Sequence, residues 1–165
     1  IDIGAHVGIF TLYMEKDFDK VVAFEPIVSN YQSLCINVQN YATHRDRIST
    51  REVALSSFAG TVTLECPASN NSGTWMVSNI GTQTANCLPL DLFSLKPNLI
   101  KLDIQGHELQ ALQGGYKTIM AHKPTIIIEM WGVDCTKVLV SYLEDTLNYK
   151  KVAKISKDCV YIAKE

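Results

Sequence analysis

The first ten residues, IDIGAHVGIF, constrain the fold more than any other stretch, because an apolar strand end runs through two glycines into a helix-forming segment. Gly4 and Gly8 lack a Cβ, so the backbone can take unusual dihedral angles there and come close to a bound molecule. Asp2 is expected at the carboxyl end of the strand, the edge at which open α/β sheets bind ligands. Two glycines four residues apart can also serve the geometry of a turn alone.

A carboxylate follows at the spacing that a second parallel strand would give it. The apolar run from Lys20 to Phe24 ends in Glu25 and Pro26, and Glu25 lies 21 residues beyond Gly4. An acid at this position in a βαβ unit accepts hydrogen bonds from a ribose. The turn and Glu25 together predict an adenosine-containing cofactor held across the first two strand ends.

Charge and length narrow the classes of partner. The 165 residues include 15 basic and 17 acidic side chains, a net charge of −2, with no basic block suited to phosphates, so nucleic acid is not an expected partner. No apolar run approaches the roughly 18 residues of a membrane span, and no membrane contact is expected. The length suits a single domain over residues 1–165, and the missing initiator Met predicts a chain truncated at its N-terminus.

The five cysteines are scattered along the chain and include no C-x-x-C pair. Their pattern argues against a disulfide framework and against a zinc site. We therefore expect no metal centre and a reducing, cytoplasmic location.

Alternating apolar strands and amphipathic helices predict a mainly parallel, doubly wound α/β sheet of seven strands. Beyond the first strand, the predicted strands of this sheet are residues 20–25, 48–55, 99–103 and 125–129, followed by an antiparallel hairpin of 152–155 and 159–163. Residues 60–66 predict a further strand, in a hairpin arm beside the main sheet. The predicted helices are residues 9–16, a helix that begins at the capping-box pair Ser29 and Gln32, a helix over 109–120 interrupted by Gly114 and Gly115, and residues 134–147.

Two further stretches are candidates for the site. Asp103 ends its strand as Asp2 and Glu25 end theirs, so three acids are expected at one sheet edge. Ala54 would approach the adenine of an adenosine cofactor, or is an ordinary core residue. Residues 67–86 are rich in Ser, Asn, Thr and Gly and predict a long loop, in which Trp75 and Met76 either close over a substrate or anchor the loop to the core.

These motifs resemble those of the class I S-adenosylmethionine-dependent methyltransferases and, within them, the FkbM family. The resemblance covers most of the chain, and its most specific block is IKLDIQGHEL at residues 100–109, where the family pattern is close to K-x-D-V-E-G-x-E. His6 stands where the family usually has Asn, and Gln105 where it usually has Glu. The other matching positions are residues 2–11, 23–26, 34, 37, 40, 54–55 and 90–91.

The resemblance implies a Rossmann-like fold that ends in an antiparallel hairpin. It also implies methyl transfer from S-adenosyl-L-methionine to a hydroxyl of a sugar or another small molecule. The ribose hydroxyls would lie on Glu25, and Asp103 would face the amino end of the cofactor or the reacting centre. The residues expected around the cofactor are Asp2, Gly4, Ala5, His6, Gly8, Glu25, Pro26, Ala54 and Asp103.

Asp103, His107 and Glu108 are the candidate catalytic residues. A histidine titrates near neutral pH, which suits His107 to act as a base on a hydroxyl, although a histidine in the first turn of a helix is often a surface residue. Asp103 and Glu108 could act as base, as substrate clamps or as acids that favour a helix N-terminus. With the neutral Gln105 beside them, we expect an altered acceptor or weaker turnover, with cofactor binding intact.

Three alternatives stand beside this hypothesis. An NAD-dependent enzyme would use Glu25 equally well, but His6 occupies the place of the middle glycine in G-x-G-x-x-G. A metal-assisted methyltransferase would hold magnesium on Asp103 with Glu129 or Glu108. The third is a cofactor-binding module without catalysis.

Overall fold

A computed structural model describes residues 1–66, 74–130 and 133–165. The strands within these residues are β1 (Asp2–Ile3), β2 (Val21–Phe24), β3 (Ile48–Arg51), β4 (Ala54–Leu55), β5 (Gly60–Glu65), β6 (Met76–Val77), β7 (Gln83–Leu88), β8 (Leu99–Leu102), β9 (Thr125–Glu129), β10 (Tyr149–Ile155) and β11 (Asp158–Ala163). The helices are α1 (Ile9–Met14), α2 (Val28–Tyr41), α3 (Glu108–Gly114), α4 (Tyr116–His122) and α5 (Val133–Ser141), and a π-helical turn follows at Tyr142–Thr146.

The larger sheet has seven strands in the order β10-β11-β9-β8-β1-β2-β3. Strands β1, β2 and β3 pair in parallel, as do β8 and β9, whereas β11 is antiparallel to both β9 and β10. This topology confirms the predicted mainly parallel, doubly wound sheet with a terminal antiparallel hairpin. Parallel neighbours need a crossover between them, and the helices that alternate with the strands supply it.

A smaller sheet of four strands, in the order β4-β7-β5-β6, corrects two predictions. The strand predicted over residues 48–55 is divided, because β3 joins the larger sheet and β4 the smaller one. The loop predicted over residues 67–86 is wrong for β6 and for the start of β7, since both pair with β5. β6 has only two residues and β7 begins with polar ones, so both strands are specified by their backbone pairing with β5 and not by a pattern of their own. Residues 67–73 of that loop lie outside the described residues.

The chain divides into two compact units. The first comprises Ile1–Ala54 and Gly60–Cys87, and the second comprises Leu55–Ala59 and Leu88–Glu165. In the first unit, one buried cluster joins the turn and β2 to α2, and its members are Ala5, Ala23 and Leu34. In the second unit, the largest fully buried side chains include Ile100, Leu102, Leu112, Ile119, Ile126, Ile128, Leu143, Tyr149 and Tyr161.

The N-terminus of α2 differs from the capping box predicted at Ser29 and Gln32. The capping position is Ile27, which makes no side-chain cap, and Ser29 lies inside the helix. Instead the carboxylate of Glu25 accepts a hydrogen bond from the N–H of Ile27, 2.9 Å away. A carboxylate from the preceding strand end thus satisfies a backbone donor at the helix start, where negative charge is favourable.

The predicted interruption at Gly114 and Gly115 is confirmed, because the stretch forms two helices, α3 and α4, that meet at Gly115. A Cβ built on Gly114 would lie 1.9 Å from the carbonyl oxygen of Ser56 and 3.2 Å from the Cα of Pro89. Gly114 is therefore required for the close approach of α3 to the backbone of neighbouring segments.

Within the described ranges, no helix has the length and apolar character needed to span a bilayer.

Candidate functional site

The turn after β1 is built from residues with unusual backbone angles. Gly4, His6 and Gly8 have φ values of 78°, 52° and 91°, in the left-handed region that a residue with a Cβ rarely adopts. A Cβ on Gly8 would also lie 2.6 Å from Cδ1 of Leu34. The N–H of Gly8 donates to the carbonyl of Ala5 at 2.8 Å, which closes the turn. Gly8 is thus needed both for the turn and for the packing of α2 against it.

The backbone donors of this turn are engaged inside the protein. The N–H groups of Gly4 and Ala5 both donate to the carbonyl of Phe24, each at 3.0 Å. The N–H of His6 donates to Oε2 of Glu25 at 2.8 Å. The N–H groups of Gly4, Ala5 and His6 therefore hold the turn to the end of β2 and its following acid.

Glu25 is the acid at the end of β2 that accepts one of these hydrogen bonds. Its side chain is 4% exposed, and it accepts from the N–H groups of His6 and Ile27 and from the side chain of Asn30. Burial raises the pKa of Glu25, and these hydrogen bonds oppose that rise. A carboxylate offers about four acceptor sites, so ribose hydroxyls would share the remaining capacity with Asn30. Pro26, beside it, is half-buried.

Asp2 is the first residue of β1, not the last as predicted, and it is fully buried. Its Oδ2 accepts a hydrogen bond from the hydroxyl of Thr11, 2.7 Å away, and Thr11 is buried in α1. In this arrangement Asp2 holds α1 against β1. Its contact with a cofactor stays a prediction.

Ala54 and Trp75 belong to one apolar cluster of the first unit. Ala54 is 7% exposed and is buried with Ile27, Val62 and Leu64 among others, and Trp75 packs against this cluster. Of the two roles considered for Trp75, the contacts match the anchor that ties the segment to the core. Ala54 contributes to the same core, and its approach to an adenine stays a prediction.

In the second unit, Asp103 and Glu129 stand at the ends of neighbouring parallel strands. The register of β8 and β9 pairs Leu102 with Ile128, which places the two acids side by side. The side-chain nitrogen Nε2 of Gln105 lies 3.0 Å from Oδ1 of Asp103 and 3.0 Å from Oε2 of Glu129. One neutral amide thus donates to two carboxylates.

Asp103 also lies near a cation. The Nζ of Lys101 is 3.7 Å from Oδ2 of Asp103, whose side chain is 38% exposed. Within the described part of the chain, no three His, Cys, Asp or Glu side chains are grouped closely enough to hold a metal ion. An ion placed between the carboxylates of Asp103 and Glu129 would have to displace the amide of Gln105.

Glu108 shapes the turn that carries Gln105. Gln105 and Gly106 have φ values of 53° and 99°, and Oε1 of Glu108 accepts from the N–H groups of Ile104 and Gly106 at 3.3 and 3.1 Å. Glu108 is 4% exposed, and burial raises its pKa. Its position fits the reading of Glu108 as an acid at a helix N-terminus. A direct role in catalysis stays a prediction.

His107 has a partner that the sequence did not indicate. Its Nε2 lies 3.0 Å from Oγ of Ser56, which is fully buried and precedes His107 by 51 residues. The N–H of Ser56 donates to the carbonyl of Leu88 at 3.1 Å. Burial lowers the pKa of His107, which favours the neutral imidazole. No local motif signals Ser56, because only the tertiary fold brings it to the ring.

The bridging role of Gln105 can be tested by Gln105→Glu, the residue usual in the FkbM pattern. The change removes two hydrogen bonds and sets a third carboxylate beside Asp103 and Glu129, so we expect it to lower the free energy of unfolding by about 2 kcal/mol at pH 8. The difference from wild type should shrink towards pH 5, because protonation of the introduced carboxyl removes the repulsion. Urea unfolding at both pH values measures it.

Gln113→Glu is the matched control, because Gln113 is exposed on α3. It should change stability by less than about 0.5 kcal/mol at either pH. Equal stability of the Gln105→Glu variant and wild type at pH 8 would contradict the bridging role of the amide.

The fold and these strand-end residues define a class. A mainly parallel, doubly wound sheet with a glycine turn after β1, an acid after β2 and a polar turn after β8 describes a Rossmann-like α/β protein. The chain belongs to the methyltransferase FkbM domain family, whose family model matches residues 2–161.

One relative carries a named activity. The chain is 25% identical over 162 residues to the hexuronic acid methyltransferase AglP of Haloferax volcanii, and the match covers 95% of this chain and 66% of that protein. The chain therefore spans slightly less than two thirds of the length of this relative.

Solved structures show the same fold. A methyltransferase FkbM from Methylobacillus flagellatus KT superposes with a TM-score of 0.75 at 22% identity, over 98% of this chain and 42% of that chain. A protein of the NADB-Rossmann superfamily from Streptococcus agalactiae gives a TM-score of 0.57 at 14% identity, over 98% of this chain and 58% of that chain. At these identities the likeness concerns the fold alone.

Proposed function

We propose that this chain is an S-adenosyl-L-methionine-dependent O-methyltransferase that acts on a hydroxyl of a saccharide or another small molecule. Membership of the FkbM family supports methyl transfer as the reaction. The cofactor, the oxygen acceptor, the acceptor class and a cytoplasmic location are parts of this proposal.

The hydrogen bonds made by the N–H groups of the turn after β1 are the observation that supports S-adenosylmethionine as the cofactor. A dinucleotide turn binds a pyrophosphate through free backbone N–H groups at a helix start. Here the N–H groups of Gly4, Ala5, His6 and Gly8 all donate to protein oxygens. S-adenosylmethionine carries no phosphate, so it does not need those donors. The arrangement thus favours it over the NAD alternative.

The carboxylate of Glu25, in the first unit, fits an adenosine cofactor because it can accept a hydrogen bond from the ribose. The carboxylate of Glu25 is fixed by two backbone donors and keeps acceptor capacity for a ribose hydroxyl. At the half-buried Gly4 no side chain stands between the backbone and a bound molecule. When bound, S-adenosylmethionine supplies an electrophilic methyl group, and the residues of the chain bind and orient the acceptor hydroxyl.

A saccharide is the proposed acceptor class on two grounds. The relative AglP is named for its action on a hexuronic acid. Carboxylates held by fixed partners accept hydrogen bonds from hydroxyl groups, and the Gln105 amide holds Asp103 and Glu129 in this way. We assign Asp103 the role of receiving or orienting the acceptor hydroxyl.

Calorimetry with S-adenosylhomocysteine and with NAD tests the cofactor, and we expect binding of the first only. Incubation with labelled S-adenosylmethionine and a panel of neutral, acidic and amino sugars tests the reaction. Transfer of the label to a sugar hydroxyl is the expected result. Binding of NAD in preference to S-adenosylhomocysteine would overturn the proposal, and cofactor binding without transfer to any acceptor would favour a non-catalytic module.

A further inference from the structure

The pair formed by Ser56 and His107 contains a proton whose position decides what the imidazole can do. The hydroxyl of Ser56 is fully buried, and Nε2 of His107 lies 3.0 Å from it. Across residues 1–66, 74–130 and 133–165, the imidazole of His107 is the one hydrogen-bond partner of this hydroxyl. A hydroxyl and a neutral imidazole can bond in two ways, with either group as the donor.

Burial favours one of the two arrangements. If Nε2 carried the hydrogen and donated to Ser56, the hydroxyl hydrogen of Ser56 would be buried without an acceptor among the described residues. A buried donor that has no acceptor is strongly disfavoured. If the hydroxyl of Ser56 donates to Nε2, both groups are satisfied. A neutral imidazole that accepts at Nε2 carries its hydrogen at Nδ1.

Backbone contacts hold Ser56 in place beside His107. Ser56 is held by the hydrogen bond from its N–H to Leu88, and its carbonyl lies against Gly114 of α3. In the turn before His107, Gly106 is exposed, and a Cβ placed on it would meet no atom within 4 Å. Among the described residues, Nδ1 of His107 makes no hydrogen bond within the protein.

We propose that Ser56 is a positioning residue that holds His107 in the tautomer protonated at Nδ1, so that His107 offers a hydrogen-bond donor, and not a base, to an oxygen of the acceptor. The role towards the acceptor rests on the proposed methyl transfer, whereas the tautomer does not. Under this proposal His107 is not the general base, and Asp103 is the candidate for receiving the proton of the hydroxyl.

Nitrogen-15 NMR of the imidazoles tests the tautomer directly in the unliganded chain. The signals of His107 are assigned by their absence from H107Q. We expect a protonated, pyrrole-type Nδ1 and an unprotonated, pyridine-type Nε2 in wild type. S56A should move both signals towards the average of two exchanging tautomers, and S56T, which keeps the hydroxyl, should restore them. A pyrrole-type Nε2 in wild type would overturn the proposal.

A pair of amide substitutions tests the donor role. The side-chain nitrogen of Asn stands in for Nδ1, and that of Gln stands in for Nε2, so H107N can keep the donor that H107Q removes. We expect both variants to lose turnover, with kcat/KM about tenfold lower in H107Q than in H107N. Equal losses in the two variants would overturn the donor role. Binding of S-adenosylhomocysteine to wild type reports separately on the proposed function.

Discussion

Replacing Gly114 with alanine should lower the free energy of unfolding by about 3 kcal/mol, although alanine is the better helix former by about 1 kcal/mol. The added Cβ would lie 1.9 Å from the carbonyl oxygen of Ser56 and 3.2 Å from the Cα of Pro89. Both atoms belong to the backbone, so no side-chain rotation relieves the overlap. Urea or thermal unfolding of the variant measures the loss.

Gly115→Ala is the matched control one residue further on. Gly115 has a φ of −106°, and a Cβ there would meet Cδ2 of Leu90 at 3.1 Å, the end of a flexible side chain. We expect this variant to differ from wild type by less than about 1 kcal/mol. In Gly114→Ala the imidazole signals of His107 should also shift, because Ser56 must move. Equal stability of the two variants would contradict the close packing at Gly114.

Replacing Glu25 with glutamine should weaken binding of S-adenosylhomocysteine by about tenfold or more, because a charge-assisted hydrogen bond to a ribose hydroxyl is worth about 1.5–3 kcal/mol. The amide nitrogen of glutamine would also face a backbone N–H of His6 or Ile27, which now donate to the two carboxylate oxygens. Calorimetry measures the affinity, and thermal melts without cofactor measure the loss of stability separately. Unchanged affinity in a destabilised variant would make Glu25 a structural residue only.

The pH dependence of stability gives a second readout of Glu25. Burial raises its pKa above the usual 4.5, so the folded chain binds this proton more tightly than the unfolded chain does. Its contribution is fully present below pH 4.5 and declines as pH rises through the raised pKa. The stability difference between wild type and Glu25→Gln should follow that decline. Glu52→Gln, at an exposed position, should show no such trend.

Local patterns predicted the parts of the site whose residues are close together in the sequence. The glycine turn, the acid after β2 and the polar turn after β8 lie at strand ends, where the strand-helix alternation places them. The sequence did not reveal the hydrogen-bond partners of the buried acids. Glu108 was a candidate for catalysis and Asp2 for cofactor binding, but Glu108 accepts hydrogen bonds from the turn before α3 and Asp2 accepts one from Thr11.

The periodicity of apolar residues by itself determined the class of fold, the buried strands β2, β8 and β9 and the terminal hairpin, because continuous apolar runs between helices can be buried only as central strands of such a sheet. Backbone pairing decided the second sheet, since the polar strand β7 is defined by its partner β5 and not by its own side chains. Only the tertiary structure brought Ser56 to His107 and set Gln105 between Asp103 and Glu129. Hydrogen bonds between residues far apart in the chain leave no periodic signal in the sequence, because each depends on where the folded backbone carries its two groups.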